Sequence, residues 1–253
     1  MIFDTTAFTG SWPFRKLGKT SIAQMLEDHA KNGITGGVVS KLESIFYNDP
    51  MEGDEELAAN LPPGYKLAIT HNPLLPFALK EIRDNVLGAV AVRIFPSYHG
   101  YGLRDEAVKE FCRAAAASNL VVYVVARMDD VRLEYMFRQN VPPIDDVAAL
   151  VQAVPECKFV LSGLVLGGLR SKGMEISRLK NLYVDTSYAN APPFVFDGIG
   201  DDVPIERILF ATHYPILSFE GNIIALKHSS LSEAEKRGVA HDNAVGLFGL
   251  GGK

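Results

Sequence analysis

The 253-residue sequence has no run of about 18 consecutive apolar residues, the length that a bilayer-spanning helix needs. It has two cysteines, too few for a zinc cluster built on thiolates. Cys112 sits in a predicted helix and Cys157 just before a predicted strand, and both read as reduced core residues rather than as a disulfide or a metal pair. Basic charge is scarce: 25 Lys and Arg stand against 30 Asp and Glu, a formal net charge of −5. The electropositive footprint that nucleic acid or an anionic membrane would need is therefore missing, and neither is expected as a partner. No Gly-rich phosphate loop follows any apolar run. The opening MIFDTTAF lacks the basic region and long apolar stretch of a secretory signal, so the chain is expected in the cytoplasm.

What is present is an ordinary globular balance, 47% apolar and 22% charged, with an alternation of strand-like and helix-like segments. Short runs rich in β-branched residues recur at Ile2–Phe8, Gly36–Ser40, Lys66–Thr70, Gly88–Phe95, Leu120–Ala126, Lys158–Ser162, Leu182–Thr186 and Arg207–Thr212. Near-continuous apolar strands separated by helical patterns are the mark of a parallel sheet buried on both faces. Eight such units close a barrel, so the expected fold is a single (β/α)8 TIM-barrel domain over residues 1–253. An open doubly wound sheet is the alternative. Helices are expected over Ser21–Asn32, Asp105–Ser118, Ile144–Ala153 and Leu231–Ala240, with Thr20 or Ser21 capping the first and Ser230 or Ser232 the last. The stretch Ala191–Asp202, rich in Pro and Gly, predicts a loop with a degenerate barrel helix after strand seven. Long loops are expected after strands two and seven.

Several motifs, in order, carry a family resemblance. Asp4-x-Thr6-x-Phe8-x-Gly10 lies in the frame Asp-x-His-x-His-x-Gly, and Leu209-Phe210-Ala211-Thr212-His213-Tyr214-Pro215 resembles a strand-eight pattern in which an Asp precedes Tyr-Pro. The others are Arg93-Ile94-Phe95-Pro96, Asn181-Leu182-Tyr183-Val184-Asp185-Thr186-Ser187 and the tail Asn243-Ala244-Val245-Gly246-Leu247-Phe248. The chain in this respect resembles the amidohydrolase-related family (amidohydrolase 2 type). The resemblance implies a barrel whose C-terminal face holds a divalent metal that activates water for hydrolysis or assists decarboxylation. It also shows what is missing here. Thr6 and Phe8 replace the two strand-one histidines, no histidine ends strands five or six, and His213 stands where the strand-eight carboxylate would be.

In a barrel the residues that close each strand face the mouth. Here these are Asp4 and Thr6, Ser40 and Lys41, His71, Arg93 and His99, Arg127, Ser162, Asp185 and Ser187, and His213. His213 reads either as a general acid or base, or substrate ligand, or as a neutral core histidine. Asp185 and Asp4 are its candidate catalytic partners. Arg93 and Arg127 end neighbouring strands and read either as an anion clamp or as members of internal ion pairs. Tyr98 and His99, in the loop after strand four, and His71, after strand three, read as substrate-binding residues or as loop and core residues. Trp12 and Phe14 read as a pocket wall or as an apolar plug over the rim. Metal independence is one expectation; an altered metal site of His71, His99, Asp185 and His213 is the other. His29, His228 and His241 fall in helix patterns outside the barrel and are expected to be solvated or packed surface residues.

The expected activity is a hydrolase or a decarboxylase-like lyase acting on a small anionic molecule. A non-catalytic ligand-binding barrel and a metal hydrolase with substituted ligands are the alternatives. The sequence leaves substrate identity and oligomeric state open.

Overall fold

The structure, a computed structural model, describes residues 1–164, 173–188, 196 and 199–251. Eight parallel strands follow one another in the sheet in sequence order. They are β1 (Ile2–Thr9), β2 (Ile34–Lys41), β3 (Tyr65–His71), β4 (Ala91–Ile94), β5 (Val121–Val125), β6 (Phe159–Ser162), β7 (Leu182–Asp185) and β8 (Ile208–Leu209). The ring closes between β1 and the chain just beyond β8. Thr5 N–H donates to Phe210 O (2.9 Å), His213 N–H to Thr6 O (2.9 Å) and Phe8 N–H to Tyr214 O (2.8 Å). The arrangement is the (β/α)8 barrel that the strand count predicts.

Alternation along the strands sorts the apolar residues into two layers. Phe3, Val38, Ala68, Ala91, Tyr123, Val160 and Leu209 pack together inside the barrel. Val39, Ile69, Val92, Val122, Phe159 and Val184 face outward, against helix residues such as Met25, Leu57, Val108 and Phe111. One β-bulge interrupts this order. Between Asp4 and Ala7, three steps along β1 stand against the two steps from Gly37 to Val39 on β2. The extra residue reverses the alternation. Asp4 therefore faces the helix layer while Phe8 packs inside, although the two are an even number of residues apart.

The helices α1 (Ile22–Lys31), α5 (Glu106–Ala117) and α6 (Ile144–Ala153) match the sequence expectation within a residue at each end. Ser21 caps α1 through a capping box with Gln24. The expected helix over Leu231–Ala240 begins later, as α10 (Glu233–Arg237), capped by Ser232, and passes through a π-helical turn (Gly238–Asp242) into α11 (Asn243–Phe248). The stretch after β2 is not the long loop expected: it holds a 3-10 turn (Glu43–Ile45) and α2 (Met51–Asn60). That helix lacks a side-chain cap at Pro50 and carries Gly53 in its first turn, so its start is marked only by Asp49, which accepts from Met51 N–H (3.0 Å), and by the acidic Glu52 and Asp54. The helices α3 (Ala78–Asp84), α4 (Pro96–His99), α7 (Gly173–Arg178), α8 (Ile199–Asp202) and α9 (Glu220–Lys227) complete the described set. Most of the expected loop at Ala191–Asp202 lies outside the described residues; α8 and buried Phe196 belong to it.

β8 is shorter than the expected Arg207–Thr212. Phe210 N–H turns to Val239 O in the π-helical turn, and the chain then leans across to β1. No helix among the described residues is long and apolar enough to cross a membrane.

Candidate functional site

The centre of the barrel is occupied by a cation. Arg93, on β4, is fully buried between the Phe8 and Tyr123 rings, with its guanidinium carbon 4.7 Å and 5.0 Å from their centroids. Nη1 donates to Ala7 O (3.2 Å) and Ser40 Oγ (2.7 Å), and Nη2 to Thr5 O (3.0 Å) and Val38 O (3.0 Å). All four terminal N–H groups are thus consumed by β1 and β2, leaving only Nε without a partner among the described residues. Burial draws the guanidinium pKa down, and the nearby Tyr123, Asp185, Asp4 and Asp54 oppose that pull. With so high an intrinsic pKa, the group keeps its charge.

His213 lies at the barrel closure in the left-handed backbone region (φ 58°), which a non-glycine residue occupies at a cost of about 1–3 kcal/mol. Its ring is fully buried between Phe8 (centroids 5.2 Å apart) and Tyr188 (5.6 Å). Neither ring nitrogen makes a hydrogen bond of good geometry to the described residues, although the Met128 backbone lies close to the ring. Burial, with the charges of Arg93 and Arg15, pulls its pKa down to about 3 against a small opposing effect of the Met128 backbone. The imidazole is neutral across the physiological range.

Asp185, at the end of β7, accepts from Thr6 Oγ1 (2.7 Å) through Oδ2 and from Ser187 N–H (3.1 Å) and Oγ (2.5 Å) through Oδ1. Ser187 Oγ in turn accepts from Gly163 N–H (3.0 Å). Gly163 has φ 76°, and a Cβ there would collide with the Arg127 backbone, so the β5–β6 approach that positions Ser187 requires glycine. Burial raises the Asp185 pKa, opposed by the hydroxyls of Ser162, Ser187 and Thr6. The buried hydroxyls of Thr70, Tyr123, Ser162 and Tyr188 lack hydrogen-bond partners of good geometry among the described residues, and of these Ser162 and Tyr123 lie within the electrostatic reach of this carboxylate.

A lid of aromatic rings covers the mouth. Trp12 and Phe14, after β1, pack on Phe46, Tyr98 and Phe137, with Tyr98 and Phe137 stacked at 4.8 Å and Trp12 in edge contact with Phe14 (5.3 Å) and Tyr98 (5.6 Å). Polar contacts fasten it. Asp129 accepts from Trp12 Nε1 (2.7 Å) and Arg15 Nε (3.1 Å), while Gln139 Oε1 accepts from Met128 N–H (2.6 Å) and the Tyr98 hydroxyl (3.1 Å). Of the two readings for Trp12 and Phe14, the structure shows the plug.

The sequence-selected residues do not all converge. Asp4 is not brought to His213: it faces the helix layer, accepting from Thr212 N–H (3.0 Å) and Oγ1 (2.5 Å) and Thr6 N–H (3.1 Å), with His29 Nε2 3.4 Å away. His29 is accordingly a buried network residue, not a surface one, and its Nδ1 lies 3.0 Å from the Tyr65 hydroxyl. His71 points outward, its Nε2 2.7 Å from Glu81 and its ring against Phe111. Alternation along β3, with Ala68 inside and Ile69 outside, would have placed it there. His99 Nε2 donates to Ile45 O (2.8 Å), and Tyr98 belongs to the lid. Arg127 reaches the mouth, where Glu134 is 3.8 Å away and the cation lowers the Tyr188 pKa against the stronger effect of burial. The two-arginine clamp is not assembled, because Arg93 is spent mainly on backbone carbonyls. The sequence reading missed Tyr188 and Tyr123; a phenol amid the aliphatic Leu120–Ala126 was the available signal for the latter.

The residues present do not fit a divalent metal. Thr6 is committed to Asp185, Phe8 has no lone pair to donate, and a guanidinium lies over the Phe8 ring. Among the described residues no three His, Cys, Asp or Glu side chains converge as ligands, and His71, His99, Asp185 and His213 point to separate partners or layers.

Comparison with known proteins agrees with the barrel. The structure is similar to 5-carboxyvanillate decarboxylase from Sphingomonas paucimobilis, with 15% identity, TM-score 0.73 and 98% of each chain covered. It is similar to the D314N mutant of 5-carboxyvanillate decarboxylase from Novosphingobium aromaticivorans with bound manganese and 3-methoxy-4-hydroxy-5-nitrobenzoic acid, with 14% identity, TM-score 0.75, and 98% and 97% covered. A 2,6-dihydroxybenzoate decarboxylase from Rhizobium matches with 14% identity, TM-score 0.70, and 99% and 100% covered. These identities establish a shared fold. No curated protein sequence matches the chain. The Amidohydrolase family profile (Amidohydro_2) spans residues 27–250, nearly the whole barrel. The chain belongs to the amidohydrolase family.

Proposed function

We propose that this amidohydrolase-family barrel is a decarboxylase-like lyase or hydrolase for a small anionic molecule, bound beneath the aromatic lid against His213. The observation that carries the reading is the His213 imidazole itself: fully buried, in a costly backbone conformation, with the Met128 backbone close to the ring and neither ring nitrogen in a hydrogen bond of good geometry among the described residues. Buried polar atoms are ordinarily satisfied, so such a group is prepared for a ligand. The Tyr188 hydroxyl, on the ring packed against His213 and without a partner among the described residues, adds a donor to the same region. Arg127 at the mouth and the field of Arg93 favour negative charge. The similar solved barrels named as decarboxylases of 5-carboxyvanillate and 2,6-dihydroxybenzoate supply the first substrate class to try.

Roles follow from the titration directions. His213 serves as a neutral hydrogen-bonding group toward the substrate. Asp185 is the carboxyl suited to hold and deliver a proton, because burial favours its protonated form. The lid excludes water once the substrate is in place.

A second reading, a barrel that binds such a ligand without turning it over, draws on the full occupation of the terminal Arg93 N–H groups, which leaves fewer charged groups to act on a substrate. A panel of hydroxybenzoates and small aliphatic carboxylates, followed by substrate absorbance and by thermal shift, separates the two. Turnover that His213→Asn abolishes, with the circular dichroism spectrum kept, supports the lyase or hydrolase. Binding without turnover supports the second reading, and full turnover in His213→Asn refutes the assignment of His213.

A further inference from the structure

The geometry points to Arg93 as the resident cation of the barrel, a fixed guanidinium standing in for the divalent ion, so that this chain takes up no metal between β1 and the closure at His213. The positions compared with the strand-one histidines are Thr6 and Phe8, and both are tied to this arrangement. Thr6 Oγ1 donates to Asp185 (2.7 Å), and the Phe8 ring stands between the guanidinium (4.7 Å) and the His213 ring (5.2 Å). The guanidinium is held by four hydrogen bonds whose acceptors all lie on β1 and β2, one of them the strand that would ligate a metal. It also lies against two aromatic faces, where a cation is attracted by the ring quadrupole. An incoming dication would meet a like charge in a low-dielectric interior and would have to displace that hydrogen-bonded group. The same charge reaches both His213 and Asp54. A cation built into the chain cannot be removed by chelation, and it depends on no metal supply.

This inference concerns what supplies the positive charge and stands apart from whether a substrate is turned over. Its test needs no substrate. The full-length protein is produced in medium supplemented with manganese and zinc, purified without chelator and subjected to elemental analysis, and its melting temperature is recorded with added MnCl2 or ZnCl2 and with EDTA. The expected result is metal far below one ion per chain and an unchanged melting temperature, since an ion bound by the native state would raise it. Stoichiometric metal that EDTA removes, with a fall in melting temperature, overturns the inference. In the variant Thr6→His/Phe8→His both histidines are restored while Arg93 stays. If folded by circular dichroism, it is expected to remain metal-free, and a stoichiometric ion there would likewise overturn the exclusion; if it does not fold, the wild-type measurements decide alone.

Discussion

Replacing His213 with asparagine should change how stability responds to acid. In the native protein the imidazole is held neutral, its pKa pulled from the usual 6.5 to about 3 chiefly by burial, then by Arg93. In the unfolded chain it protonates near pH 6.5. Below that pH the unfolded state binds a proton that the native state refuses, so native stability is present above the unfolded pKa and drains away as pH falls. A tenfold difference in proton affinity between the two states is worth about 1.4 kcal/mol, so this residue alone removes about 2 kcal/mol between about pH 7 and pH 5, and about 5 kcal/mol once both forms are protonated. Asparagine tolerates the left-handed backbone at φ 58° and does not titrate. At neutral pH the variant should be less stable by about 1–3 kcal/mol, because the Phe8 and Tyr188 rings lose their neighbour. At about pH 5 the gap should narrow by about 2 kcal/mol. His29 and His99, whose pKa values burial also lowers, contribute alike to both proteins and cancel in the difference. Urea unfolding followed by circular dichroism across this range measures the gap. A gap that stays constant with pH would show that His213 titrates normally, and would refute both its burial and the reach of the Arg93 charge.

Two further perturbations test the frame around the site. Asp54, on α2, accepts from Thr70 N–H (2.7 Å) and the Ser44 hydroxyl (2.9 Å), yet burial pushes its pKa up to about 7. A carboxyl raised in the fold costs stability as pH climbs from the unfolded value of 3.8 through about 7. Asp54→Asn should therefore gain about 4 kcal/mol on the wild type between about pH 4 and pH 8 in urea unfolding, and no pH-dependent gain would reject the buried titration. Gly163→Ala places a Cβ against the Arg127 backbone at φ 76°; a loss of more than about 2 kcal/mol is expected in the same assay, and a neutral result would mean that the β5–β6 approach is looser than described.

Much of the architecture was legible in order and period. Val121–Val125 and Ile34–Lys41 carry β-branched runs suited to buried parallel strands, and Ser21 with Gln24 marks the start of α1 in the sequence itself. The chain after β2 was not legible, because α2 is stabilised by what its buried side chains meet, Asp54 on Thr70 and Ser44, rather than by a cap or a strong apolar stripe. The polar residues at the strand ends were also recognisable as a set. Their facing was not. Asp4 and Phe8 share parity in the sequence and lie on opposite sides of the barrel wall, because the bulge between them inserts one residue of pairing that no local pattern announces.

The amino-acid order by itself determined the eight-stranded barrel, the family frame and the placing of Thr6 and Phe8 on the first strand, since each depends only on residue type and spacing. The tertiary structure decided what those two residues meet. Hydrogen bonds from Arg93 to carbonyls on β1 and β2 join residues more than fifty positions apart, and closure of the barrel sets the Phe8 ring between that guanidinium and His213. The charge of a buried group and the company it keeps are properties of that closure, so the neutral imidazole, the occupied guanidinium and the aromatic lid over them exist only in the folded chain.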